Sequence, residues 1–183
     1  MEPVTTDEQL FTEWRAGERA AGEALIERHY DAITRFFRFK AGAHADDLVQ
    51  RTFMVCADPA RAFRAEGSFR AFLFGIARNI LFEHIRLRVR DGQPDPDFTA
   101  RSLADLAPGI LTVAAQKDEQ RLLVQALQQL PLESQLLLEL YYWEELSVDE
   151  LATVTGVAAG TVKSRLHTAR TRLRELLGAG AVG

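Results

Sequence analysis

The stretch that most constrains the fold of this chain is residues 147–177, SVDELATVTGVAAGTVKSRLHTARTRLRELL. Ser147 followed three residues later by Glu150 is typical of a capping box, so we predict that a helix begins there. Gly156 is expected to end it, and a longer helix follows from about Ala159. Apolar residues of this second helix recur at spacings of four and three: Val162, Leu166, Ala169, Leu173 and Leu176. The pattern predicts two helices joined by a short turn.

The polar side of the second helix is basic and rich in small hydroxyls. At about 100° per residue, cations border the apolar stripe on both margins: Lys163, Arg170 and Arg174 on one, Arg165 and Arg172 on the other. Opposite the stripe lie Thr161, Ser164, Thr168 and Thr171, with His167 to one side. No acidic residue lies between Gly160 and Arg174, whereas solvated faces usually mix both signs. We therefore expect this helix to enter a DNA major groove, a solvated helix being the alternative.

Composition excludes several other classes of function. The net charge of −4 argues against indiscriminate nucleic-acid binding, so any DNA contact must be local. Cys56 is the single cysteine and lies in an apolar run, which favours a buried residue over a nucleophile. The histidines show no metal-ligand spacing, and Asp46–Asp47 is better explained as a pair of acids at a helix start. We expect no metal, no cofactor and no enzymatic activity. Without a leader pattern or an apolar run of about 20 residues, we expect a cytoplasmic protein with no membrane insertion.

The first ninety residues are predicted to form helices over 5–16, 18–40, 44–57 and 68 to about 90, with Tyr30 among the buried positions. The last of these has a core stripe and a second surface with Phe74, Arg78, Leu81 and Ile85. Aromatic residues between arginines fit stacking on unpaired bases beside phosphates. A helix buried on two sides explains the same pattern equally well.

Residues 91–115 are acidic, contain several prolines and lack periodicity, which is typical of a linker. A helix is expected from Gln116, broken by Pro131, followed by another over 132–143. The predicted fold class is all-α, with two small helical domains (5–90 and 116–178) joined by a flexible linker (91–115).

Both domains carry a family resemblance. The stretch DDLVQRTFMVCADPARAFRAEGSFRAFLFGIARNILFEHIR resembles region 2 of the extracytoplasmic-function (ECF) subfamily of sigma-70 factors. LPLESQLLLELYYWEELSVDELATVTGVAAGTVKSRLHTARTRLRELL resembles region 4. The resemblance implies an alternative sigma factor that binds core RNA polymerase and directs promoter-specific initiation at −35 and −10 elements.

The resemblance also implies roles for individual residues. The residues implied to face the −35 element, together with the flanking polar residues of the same helix, are Thr161, Lys163, Ser164, Arg165, His167, Thr168, Arg170 and Arg172. Those implied at the −10 element are Phe63, Ala65, Glu66, Gly67, Ser68, Phe74 and Asn79, and Arg78, from the second surface of the same helix, is expected beside them. Those implied to dock on polymerase are Asp46, Asp47, Gln50 and Phe53. The implied partners are the β′ clamp helices and β flap of core polymerase, promoter DNA and an anti-sigma factor.

Two other classes of protein compete with this interpretation. A stand-alone helix-turn-helix regulator would share the pattern of residues 147–177, but it leaves the first ninety residues unexplained. A small recombinase requires a nucleophilic Ser or Tyr among clustered arginines. Tyr30 is the only tyrosine in the N-terminal half and is expected in the core, so we expect no tyrosine nucleophile there.

Overall fold

The computed structural model describes residues 5–58, 67–90 and 122–180, except 124 and 128. The helices in chain order are α1 (Asp7–Arg15), α2 (Arg19–Ala41), α3 (Ala45–Ala57), α4 (Phe69–Arg90), α5 (Leu132–Tyr142), α6 (Val148–Thr155) and α7 (Ala159–Gly180). A 3-10 turn, Gly42–His44, joins α2 to α3, and residues 122–123 and 125–127 are also helical. The described residues contain no strand, so the all-α prediction is confirmed.

Local signals set the helix ends. Thr6 and Gln9 form a capping box at α1, and Ser68 accepts a hydrogen bond from the Ala71 N–H at 3.1 Å at the start of α4. The predicted box of Ser147 and Glu150 is present at α6. Each of these side chains satisfies a backbone N–H that lacks a partner in the first turn of a helix. Gly156 ends α6 with φ +70°, a conformation that glycine adopts without a steric penalty.

Helices α1 to α4 form a first domain around a core of aromatic side chains. Phe36 packs edge-on against Phe37 and Phe74, with ring centroids 5.2 and 5.8 Å apart. Phe69 lies 5.2 Å from Phe11 of α1. Phe74 and Leu81 are fully buried, which supports the interpretation of α4 as a helix buried on two sides.

Helix α1 is fixed to this core by polar contacts as well. Arg28 donates to Asp7 Oδ1 at 2.9 Å, and His29 Nε2 lies 2.7 Å from Asp7 Oδ2. Glu8 accepts a hydrogen bond from the Phe69 N–H at 3.0 Å, at the first residue of α4. Asp7 therefore connects the first turn of α1 to α2, and Glu8 connects it to α4.

The prediction of a buried Tyr30 is wrong. Its side chain is 45% exposed, because it lies at the edge of α2 and stacks on Phe53 of α3 with an interplanar angle of 12°. Tyrosine commonly takes such a position, with the ring against an apolar neighbour and the hydroxyl in water.

Helices α5 to α7 form the second domain, in which α6 and α7 make the predicted helix-turn-helix. Val162, Leu166 and Ala169 of α7 are buried, which confirms the apolar stripe. The two domains are in contact, and one cluster of buried apolar residues continues from α1 to α7. A Cβ added at Gly75 of α4 would lie 3.7 Å from Val154 Cα of α6, so these helices approach closely. The linker predicted at 91–115 lies outside the described residues, and the domain boundaries stay a prediction.

Candidate nucleic-acid interface

The first candidate surface is the polar side of α7. Thr161, Lys163, Ser164, Arg165, His167, Thr168 and Arg172 are exposed, and Arg170 is half-buried. The packing of the apolar stripe against α5 and α6 holds this side outward, because α7 contacts both helices. The structure therefore brings all the residues predicted for the −35 element onto one helix of the second domain.

Several of these side chains already have partners. Arg172 pairs with Glu175 one turn later at 3.0 Å, and Arg165 lies 3.4 Å from Glu133 of α5. Thr168 donates its hydroxyl hydrogen to the Ser164 carbonyl at 3.1 Å, which turns that hydroxyl toward its own helix. Among the exposed polar groups near the helix start are Lys163 and Ser164.

The second candidate surface lies on α4 and the residues before it. Phe63, Ala65 and Glu66 lie outside the described residues, and Gly67 and Ser68 are half-buried. The Ser68 hydroxyl donates to Glu150 of α6. Burial of Glu150 alone would raise its pKa, but hydrogen bonds from Ser68 and Ser147 outweigh that effect and hold the pKa below its usual range.

Arg78 and Asn79 are the described members of this surface that reach its edge. Arg78 stacks over the Phe82 ring at 4.7 Å and donates to Glu133 at 2.8 Å. Asn79 is exposed and lines a cavity of about 270 Å³ between α4 and α6. Phe74 is completely buried against Phe36, which leaves no exposed face of its ring on which a base could stack, and its contact with the −10 element stays a prediction.

The third candidate surface is a groove of about 610 Å³ on the first domain. Asp46 and Gln50 line it beside Phe53, and Asp47 is exposed next to them. Sequence reasoning missed the residues that complete the groove: Trp14 of α1, Ile26 and Tyr30 of α2, and Val49, Met54 and Ala57 of α3.

A signal for part of this groove was present in the sequence. Met54 follows Asp46 and Gln50 at spacings of four residues, which places an apolar side chain on an otherwise polar face of α3. That side chain is 66% exposed, which is unusual for methionine and marks an adaptable apolar surface. Trp14 and Tyr30 belong to other helices, and only the packing of α1 and α2 against α3 brings them there.

The sequence also raised three other questions: a reactive cysteine, a metal site and a membrane span. Cys56 is buried, and burial raises the pKa of its thiol to about 12. Within 5–58, 67–90 and the described part of 122–180, no group of three His, Cys, Asp or Glu side chains is placed to hold a metal ion. No described helix is both long and apolar enough to cross a bilayer.

Comparison with known proteins matches both domains. Residues 25–90 match the family described as Sigma-70 region 2, and residues 120–173 match Sigma-70, region 4. The ECF RNA polymerase sigma factor SigM of Mycobacterium tuberculosis is 30% identical over 94% of this chain and 85% of its own length. SigL of the same species is 33% identical over 87% of this chain and 90% of its own length.

Solved structures agree in fold. CnrH, in complex with the cytosolic domain of CnrY, superposes with a TM-score of 0.67 at 25% identity, covering 94% of this chain and 97% of CnrH. The sigma factor RpoE of Bartonella quintana, in complex with the anti-sigma factor NepR, gives 0.62 at 28% identity, covering 85% of this chain and 96% of RpoE.

Proposed function

The chain belongs to the extracytoplasmic-function subfamily of the sigma-70 family, and from that premise we propose which partner of an alternative sigma factor each of its three surfaces binds. Such a factor binds core RNA polymerase and directs promoter-specific initiation. Sigma factors are not themselves enzymes. We propose that this chain likewise contributes binding and positioning, and that it acts in the cytoplasm beside the polymerase.

The groove on the first domain is proposed as the docking site for core polymerase. Its apolar lining includes Ile26, Val49 and Met54, and the exposed carboxylates of Asp46 and Asp47 lie beside these residues. An apolar groove with an acidic rim suits a basic amphipathic helix of a partner such as the β′ clamp helices. This groove is the observation that carries the proposal, because its carboxylates would repel DNA, so contact with DNA does not explain an exposed apolar groove at this position.

The two other surfaces are proposed to bind promoter DNA. Lys163 and Ser164 would reach base edges of the −35 element, and Arg165, Arg170 and Arg172 would contact phosphates. On α4, Arg78 and Asn79 would contact the −10 element, where an exposed amide can pair with the edge of an extruded base. The β flap of polymerase would contact the second domain. Since CnrH and RpoE are known in complexes with CnrY and NepR, we also propose an anti-sigma factor as a partner.

Run-off transcription tests this function. Core polymerase with and without the protein is supplied with promoter fragments from the genome that encodes it, and specific transcripts should appear only with the protein. Asp47→Arg places a cation at the acidic rim of the groove and should abolish both the transcripts and co-purification with core enzyme. The control is Asp31→Arg, which changes the net charge by the same amount. Asp31 is an exposed acid of α2 that does not line the groove.

Normal binding of the Asp47→Arg variant to core polymerase would contradict the docking site. Tight promoter-specific binding by the free protein, with no transcripts in the presence of polymerase, would favour the stand-alone regulator instead. Circular dichroism of both variants checks that the helices remain folded.

A further inference from the structure

The groove on the first domain carries a sulfur atom at its surface. The sequence contains three sulfur atoms, those of Met1, Met54 and Cys56. Met54 lines the groove and is 66% exposed, whereas Met1 lies outside the described residues. Methionine is among the residue types most often buried, so this degree of exposure is uncommon. A thioether that is open to solvent can also be reached by small oxidants.

The neighbouring sulfur atom, that of Cys56, is in the opposite situation. Cys56 follows Met54 by two residues on α3, which turns its side chain about 200° around the helix axis and into the core. The thiol is fully buried, and burial raises its pKa to about 12. Thiols react with peroxides as thiolates, of which almost none is present at neutral pH when the pKa is this high. A thioether needs no deprotonation, so the fold directs a peroxide to Met54 rather than to Cys56.

Oxidation by a peroxide transfers one oxygen atom to the sulfur of methionine. The sulfur lone pair forms an S–O bond with one oxygen of hydrogen peroxide, and the O–O bond breaks. The proton of the transferred oxygen passes to the departing hydroxide, which leaves as water. The sulfur is oxidised by two electrons, and the peroxide is reduced by the same two. The product, methionine sulfoxide, is polar, and methionine sulfoxide reductases convert it back to the thioether.

The surroundings of Met54 make this change of polarity unfavourable for binding. The groove around it is lined by apolar side chains from three helices, among them Trp14, Ile26 and Val49. A partner helix seated in the groove would cover Met54 and remove water from it. The thioether tolerates that desolvation, but the sulfoxide oxygen is a hydrogen-bond acceptor that would lose its water among apolar groups. Oxidation therefore lowers the affinity of the groove for an apolar helix face.

Resting on the docking site proposed above, we propose that Met54 is a reversible oxidation site for peroxides and that its sulfoxide weakens docking of the protein on core polymerase. The reduced thioether is the form that binds. Oxidation acts through the polarity of one side chain in the groove and leaves the core unchanged, because the side chain projects into solvent.

The site of oxidation is tested by mass spectrometry. Free full-length protein is treated with hydrogen peroxide for increasing times, catalase stops the reaction, and peptides are mapped. Met54 should gain one oxygen atom at a rate close to that in urea-unfolded protein, whereas Cys56 should react only when the protein is unfolded. Oxidation of Met54 in the unfolded protein alone would overturn the proposal.

The effect on docking is tested by comparing treated and untreated samples of the same protein. Peroxide is removed before core polymerase is added, so that the polymerase stays reduced. Conversion of Met54 in wild type should weaken binding by about five- to thirtyfold. Met54→Leu is the matched variant, because leucine is apolar and of similar volume but cannot be oxidised. Its treated and untreated samples should bind alike, whatever its own affinity, and it retains Met1 as an internal control.

Enzymatic repair distinguishes the thioether from the thiol. Methionine sulfoxide reductases for both sulfoxide epimers, supplied with a dithiol, should restore the affinity of oxidised wild type, whereas the dithiol alone should not. Recovery with the dithiol alone would assign the effect to Cys56 and overturn the proposal. Equal binding of treated and untreated wild type, or an equal loss in Met54→Leu, would also overturn it. If untreated wild type does not bind core polymerase, the proposed docking function itself fails, so the two failures are distinguishable.

Discussion

At the scale of single residues, Asp7 shows how one carboxylate positions the helix that borders the docking groove. It accepts from Arg28 and contacts His29, whose buried ring lies 5.4 Å from Phe69. Burial alone would raise the pKa of Asp7, but the hydrogen bonds from Arg28 and His29 outweigh it and hold that pKa below its usual range. Trp14, on the same helix, lines the groove, so the anchor of α1 also shapes the proposed polymerase site.

Removal of this anchor should destabilise the protein near neutral pH. Because the pKa of Asp7 is depressed on folding, its contribution is complete above the ordinary carboxylate pKa and disappears as pH falls through the lowered value. Asp7→Asn should lower the free energy of unfolding by about 1–3 kcal/mol at pH 7, with a smaller difference from wild type in acid. Urea unfolding at several pH values measures this.

Glu23→Gln is the control for Asp7→Asn. It removes only the pair of Arg19 and Glu23, whose side chains are 91% and 68% exposed, and exposed pairs contribute little. A constant difference between Asp7→Asn and wild type across the acid range would contradict the assigned role of the charge.

At the scale of helices, sequence predicted most of the architecture because its signals are local. Capping boxes at Thr6 and Ser147 and the glycine at 156 act within a few residues of the helix ends they set. Burial was harder to predict where one helix has two apolar faces. The sequence left the exposure of Phe74 open, and the predicted burial of Tyr30 is wrong, since exposure depends on which neighbouring helix covers a face, and periodicity carries no such information.

Helix α7 yields a prediction that distinguishes contacts with bases from contacts with phosphates. Arg172 lies at the margin of the apolar stripe, and its replacement by Ala should weaken binding to every −35 sequence alike and lower the salt-dependence slope by about one unit. Lys163 is exposed near the helix start. Lys163→Ala should cost about 1–3 kcal/mol on the preferred sequence and much less on others.

Titration of the holoenzyme against a panel of −35 variants at several salt concentrations measures both effects. Arg172→Ala serves as the internal control, because it should shift all binding curves together. An unchanged spread between the best and worst sites in the Lys163→Ala variant would show that α7 does not recognise sequence through this face.

At the scale of the whole molecule, the contact between the domains lay beyond prediction from sequence. Lys40 and Glu139 are 99 residues apart in the sequence, and no local pattern indicates that a lysine near the end of a helix will be buried. The sequence did predict two helical domains, because each has its own apolar periodicity. Charged residues such as these are equally compatible with solvent exposure, so only the folded structure shows that Glu139 of α5 pairs with Lys40 of α2.

The buried pair of Lys40 and Glu139 provides the last prediction. Lys40 also donates to the Phe36 carbonyl at 2.8 Å and lies 4.4 Å from the Phe36 ring centroid. Burial raises the pKa of Glu139, an effect that the Lys40 ammonium opposes. Glu139→Leu should leave the Lys40 charge buried without its partner and lower the free energy of unfolding by about 3–5 kcal/mol. Lys40→Met combined with Glu139→Leu removes both charges and should recover most of that loss, because an apolar pair packs without the desolvation cost. Urea unfolding followed by circular dichroism measures the free energy of unfolding of both variants and of wild type. An unchanged free energy of unfolding in the single variant would mean that this ion pair does not stabilise the fold.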